Sequence, residues 1–144
     1  ISQRAALHRL RGEYEDAVAD WVEVLRIRTA ALPKDHPTLA MTRYELGLAR
    51  ADANDDEHAL LDLQASIDAR PQDDANNAAA RCALGKIHVR HRDWDAAERE
   101  LTRALKDVPS DAKELRAAIT KDLAAVYRAT GRSERATKLE ADGK

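Results

Sequence analysis

A leucine followed by a small residue recurs at Leu46 and Gly47, at Leu84 and Gly85, and at Leu123 and Ala124, and the same order of apolar and polar positions runs on from each. Alanine stands twelve residues after the small residue, at Ala59, Ala97 and Ala136, with leucine four further on at Leu63 and Leu101. Small residues follow at Ser66 and Ala104, and proline closes these two copies at Pro71 and Pro109. The start of the chain fits the same register. Ala5, Gly12, Ala17 and Trp21 take the small, turn, alanine and large apolar places, so successive alanines are 42, 38 and 39 residues apart. Apolar positions at helical spacing, interrupted once inside each copy, describe pairs of helices joined by a turn. The predicted helices cover residues 1–11, 14–32, 37–52, 56–69, 73–90, 94–107, 111–129 and 133–141, in repeats near 1–35, 36–72, 73–110 and 111–144 of a single domain.

The pattern carries a packing argument. A small residue in the middle of the first helix lets the second cross closely, with the alanine as its counterpart at the contact and Leu63 and Leu101 filling the gap to the next repeat. Pro71 and Pro109 stop the second helices, because proline lacks an N–H and pushes its predecessor out of the helical region. Asp73, Asp74, Ser110 and Asp111 stand where they can cap the helix that follows. The last helix has little apolar surface beyond Ala136 and Leu139, which suits a terminal repeat facing water, and residues 142–144 are expected to fray.

Composition agrees with an all-α chain: alanine, leucine, glutamate and arginine dominate, glycine and proline are few, and phenylalanine is absent. With 24 basic against 26 acidic residues, the formal charge of −2 gives no bulk reason to bind nucleic acid or an anionic membrane. The lone Cys82 forms no internal disulfide, and no apolar stretch reaches the length of a membrane span, so a cytoplasmic location is expected. The helical pattern is already under way at Ile1, which reads as a piece of something longer.

The repeat resembles the tetratricopeptide repeat, a helix-turn-helix unit with the pattern W-x2-L-G-x2-Y, then A-x3-F, then P. Leu84, Gly85, Ala97, Leu101, Ala104 and Pro109 carry the match, as do Leu123, Tyr127, Gly131 and Ala136. The pattern's tryptophan is missing, its place taken by Ile1, Arg43, Arg81 and Thr120, and the first-helix aromatic survives only as Tyr127. The long spacing and the segment LPKDHPTLA at residues 32–40 resemble the variant found in kinesin light chains and bacterial signalling proteins. What the resemblance implies is a right-handed α–α superhelix of about four repeats.

Three motifs tempt toward chemistry. His91, Arg92 and Asp93 imitate a kinase catalytic loop, but the required asparagine position holds Glu98, and the expectation is a turn with Asp93 capping the next helix. Asp52, Asn54 and Asp56 open like a calcium loop, yet Glu57 and Leu63 stand where glycine and a bidentate glutamate belong. Histidines 8, 36, 58, 88 and 91 are scattered without converging ligands, and Cys82 has no indicated base. No catalytic residue, metal or cofactor is expected.

Family geometry implies that first helices line a concave groove. Carried over by register, the groove positions are Ser2, Ala6 and Arg9, then Met41, Tyr44, Glu45, Leu48 and Asp52. In the later repeats they are Ala79, Cys82, Lys86 and Arg90, then Ala118, Lys121, Asp122 and Arg128. The clamp that grips chaperone C-termini needs asparagines where Ala6, Leu48 and Glu45 stand, so that sub-function is rejected. Arg9, the apolar Met41, Tyr44 and Leu48, and the basic Lys86, Arg90, Lys121 and Arg128 remain as candidate contacts for a protein or peptide of acidic character. The expected function is a non-enzymatic protein-interaction scaffold within a larger bacterial signalling protein. The alternatives are a regulatory segment of a Ser/Thr kinase or signalling NTPase, and self-assembly into a homo-oligomer through Tyr14, Trp21 and the open repeat ends.

Overall fold

The repeat register becomes four helical hairpins. The structure, a computed structural model, describes residues 1–71 and 74–143. Among them are eight helices and no strand: α1 (Ser2–Leu10), α2 (Tyr14–Ala31), α3 (Pro37–Asp52), α4 (Asp56–Asp68), α5 (Asn77–Arg90), α6 (Trp94–Asp107), α7 (Lys113–Ala129) and α8 (Ser133–Asp142). The chain divides into two compact units, residues 1–72 and 73–144.

Each hairpin turns through one residue with positive φ: Gly12 (76°), Asn54 (62°), Arg92 (57°) and Gly131 (76°). These four stand five residues before Ala17, Ala59, Ala97 and Ala136, so the turn recurs with the repeat. Asparagine tolerates this left-handed backbone and arginine does so at a cost. Asp55 and Asp93 then cap α4 and α6, accepting from the His58 and Ala96 backbone N–H groups at 3.4 and 3.2 Å. In the segment around His36, the imidazole Nδ1 accepts from the Thr38 N–H at 3.2 Å and Pro37 opens α3, where a missing N–H costs nothing.

Two helices start later than the sequence predicts. Asp74 accepts from both the backbone N–H and the side-chain amide of Asn76, at 2.8 and 2.7 Å, a local turn that delays α5 to Asn77. At α7 the N-cap is Ala112, without a side-chain hydrogen bond, so neither Ser110 nor Asp111 caps it. Asp73 lies outside the described residues. α4 and α6 end at Asp68 and Asp107, ahead of Pro71 and Pro109.

In the first unit, Ala5, Ala17, Trp21, Val24, Leu46 and Ala49 form a core cluster, with Val18 and Leu25 against it. In the second, Cys82, Leu101, Ile119, Leu123, Val126 and Tyr127 join the buried alanines 78, 97, 104, 124 and 136. The glycines of α3 and α5 face leucine: a Cβ on Gly47 would stand 2.8 Å from Leu63 Cγ, and one on Gly85 2.6 Å from Leu101 Cγ. The leucine therefore seats against the first helix of its own repeat and is the glycine's nearest neighbour there.

Candidate partner-binding faces

The first unit places its candidate residues on α1 and α3. Arg9 Nε donates to Asp52 Oδ2 at 2.5 Å, tying the end of α1 to the end of α3. Burial pushes the Glu45 carboxyl above its usual range, and the Arg9 charge opposes that rise. The one basic candidate here is thus already engaged by carboxylates. Met41 is 45% exposed, while Tyr44 and Leu48 are half-buried on the same helix.

In the second unit, two of the four candidate cations, Lys86 and Arg128, each face a carboxylate on another helix. Lys86 Nζ on α5 lies 3.9 Å from Asp122 Oδ2 on α7. Burial raises the Asp122 carboxyl, with Lys86 and then Lys121 opposing, and its Oδ2 has no hydrogen-bond donor. Arg128 turns instead to α8, gripping both oxygens of Glu140 at 2.9 and 2.7 Å. Arg90 is exposed at the end of α5. Cys82 is only 4% exposed, and burial raises its thiol, which makes it a core residue and a poor nucleophile.

The tempting motifs resolve into turns. Arg92 is the left-handed turn residue and Asp93 the cap of α6. Asn54 and Asp55 do the same work before α4. Among the described residues, His8, Glu13 and Asp16 come together with ligand atoms within 4.8 Å of one another, a meeting the scattered histidines did not foretell. The His8–Glu13 contact at 2.5 Å accounts for that closeness, and both carboxylates stay exposed. No helix among the described residues is long and apolar enough to cross a membrane.

Residues 1–72 match the family model of the tetratricopeptide repeat. The chain belongs to the tetratricopeptide repeat family. No curated protein matches it. Among solved structures, a kinesin light chain of Podosopora anserina with nearly identical TPR-like repeats matches 99% of this chain and 71% of its own, at 19% identity and a TM-score of 0.84. BtubC (BKLC) from P. vanneervenii matches 98% of this chain and 62% of its own, at 20% identity and the same TM-score of 0.84. At such identities the likeness is one of fold.

As a tetratricopeptide repeat, this chain departs from the pattern at the tryptophan position, which in the second and third repeats holds an arginine facing an acid of the following helix. Arg81, 7% exposed, directs its guanidinium to Glu100 at 3.1 Å and Asp107 at 3.6 Å, both on α6. Asp62 on α4 receives Arg50 at 2.5 Å and Arg43 at 3.7 Å. In the first repeat, whose tryptophan place holds Ile1, Asp20 on α2 takes instead Arg4, three residues further on, through both oxygens at 2.7 and 2.5 Å. Asp20, Asp62 and Glu100 each stand three residues after the repeat alanine. Sequence reasoning missed these pairs, although that recurring acid was the available signal. In the fourth repeat the two places hold Thr120 and Leu139.

Proposed function

We propose that this tetratricopeptide repeat chain is a non-enzymatic interaction module that takes a protein or peptide partner of acidic character on the faces its first helices leave out of the core. The supporting observation is the exposure of Met41 on α3 and of Lys121 on α7, two helices whose opposite faces are buried. A large exposed apolar side chain and an unburied lysine on otherwise well-packed helices contribute little to folding and remain accessible to a partner. The setting we infer is a cytoplasmic bacterial signalling protein, in which this segment recruits a partner for an attached kinase or NTPase. Isothermal titration of the chain with acidic and neutral peptides tests the reading. Saturable binding of acidic peptides is expected, and no binding to either class rejects it.

A specific observation favours self-assembly as a second reading. Leu10 is 86% exposed, and Leu7 and Tyr14 beside it are also open to solvent. Trp21 plays no part, because it is 6% exposed within the core of the first unit. A sedimentation series in which mass rises with concentration, and falls back for Leu10→Lys, would establish that reading.

A further inference from the structure

We propose that a trough between α7 and α8 of the second unit holds an acidic segment of the partner protein, an inference that rests on the interaction-module reading and locates its site. The trough has a volume of about 500 Å³ and is lined by Lys113, Arg116, Ala117, Thr120 and Lys121 of α7, by Glu140 of α8 and by Gly143.

Three cations face this space against one carboxylate, and that carboxylate is already neutralised. Arg128 holds both oxygens of Glu140. Arg116 donates to the Val108 carbonyl at 3.0 Å, a neutral partner that fixes the guanidinium without cancelling its charge. Lys113 and Lys121 are exposed, and Lys121 spends part of its field on Asp122, which it shares with Lys86. α7 begins at Lys113 with no side-chain cap, so the positive end of the helix adds to the same field. Elsewhere in this unit a second hollow along α6 has a more mixed lining, in which Asp95, Glu98 and Glu100 stand beside Arg99 and Arg103.

The spacing suits a peptide. From Lys113 to Lys121 is eight helical residues, about 12 Å along the axis. Glutamates at i, i+4 and i+7 of a docked helix span about 10 Å, so three carboxylates can meet three cations. The small side chains of Ala117 and Thr120 in this lining let a peptide backbone approach closely. The expected cluster of Lys86, Arg90, Lys121 and Arg128 is thereby redrawn: Lys121 works with Lys113 and Arg116, while Lys86 and Arg128 serve internal carboxylates.

The test is fluorescence anisotropy with a labelled helical peptide bearing glutamate at i, i+4 and i+7, beside its glutamine counterpart. The whole chain is compared with Lys113→Glu/Lys121→Glu, whose lysines are exposed and whose helicity is checked by circular dichroism, and with Lys86→Ala. The glutamate peptide should bind, the glutamine peptide should not, the double variant should weaken binding about tenfold, and Lys86→Ala should leave it within about twofold. Loss in Lys86→Ala with an unchanged double variant overturns the trough while sparing the interaction-module reading. Equal binding of the two peptides, or capture of a single-stranded oligonucleotide in place of the glutamate peptide, also overturns it.

Discussion

Leu101 sits against Gly85 so closely that a Cβ on the glycine would lie 2.6 Å from its Cγ and 2.7 Å from one methyl. Alanine is the better helix former by about 1 kcal/mol, so Gly85→Ala would stabilise an exposed helix. Here Leu101 is fully buried and has nowhere to go, and overpacking a core costs about 1 to 3 kcal/mol. Gly85→Ala should therefore lower unfolding stability by a net of about 1 kcal/mol, measured in urea. Combined with Leu101→Ala, the two costs should add to less than their sum, since the new methyl enters space the leucine vacated. Strict additivity would mean that the contact is not tight.

The hairpin turns make the opposite kind of prediction. Arg92 adopts φ 57°, where Gly12 and Gly131 serve in the first and last repeats. The left-handed region costs a residue with a Cβ about 1 to 2 kcal/mol, and part of the relief in glycine is returned as unfolded-state entropy. Arg92→Gly should raise unfolding stability by a net of about 0.5 to 1 kcal/mol, read as a higher urea midpoint. A lower midpoint would show that the arginine side chain stabilises the turn by more than its backbone costs.

How much was legible follows from these two cases. The alanine and leucine register placed all eight helices, because periodicity reports directly on which face is buried. Arg92 and Asp93 were legible as a turn for the same reason. The ion pairs were not: helical spacing tells which side of α5 carries Arg81, but not that the guanidinium crosses to Glu100 on α6. Likewise Arg128 and Lys121 share a helix and a charge, yet one turns to Glu140 and the other lines a trough. Such choices depend on the rotamers of long side chains and on the neighbouring helix, neither of which a single-chain pattern encodes.

Arg81 offers a test of what the missing tryptophan was exchanged for. Removing one member of a buried pair leaves the other desolvated without compensation, a cost of about 3 kcal/mol for well-buried partners. Arg81→Met should approach that loss, because Glu100 and Asp107 are both largely covered. Adding Glu100→Gln should recover part of it, and thermal melts of the four chains of this cycle read the coupling. If the two substitutions are simply additive, the pair contributes nothing beyond its separate side chains.

The carboxylates predict a pH profile with two opposing contributions. Burial raises Asp122 above the usual range, whereas hydrogen bonds from Arg132 at 3.0 and 2.7 Å, with Glu98 as acceptor, hold Glu98 below it. An acid with a raised folded pKa binds its proton more tightly in the folded chain, so its contribution is favourable in acid and is lost as pH rises from the unfolded value, about 3.9, through the folded one. A depressed acid does the reverse: it stabilises above the unfolded value, about 4.3 for glutamate, and that stability is lost as pH falls through the folded pKa. At pH 7, Asp122→Asn should therefore leave the urea midpoint unchanged or higher, and Glu98→Gln should lower it. In strong acid both differences should shrink, because wild-type and variant side chains are then all neutral. A drop for Asp122→Asn at neutral pH would mean that its ion pair with Lys86 outweighs the burial of its carboxylate, and the account of that site would have to be reversed.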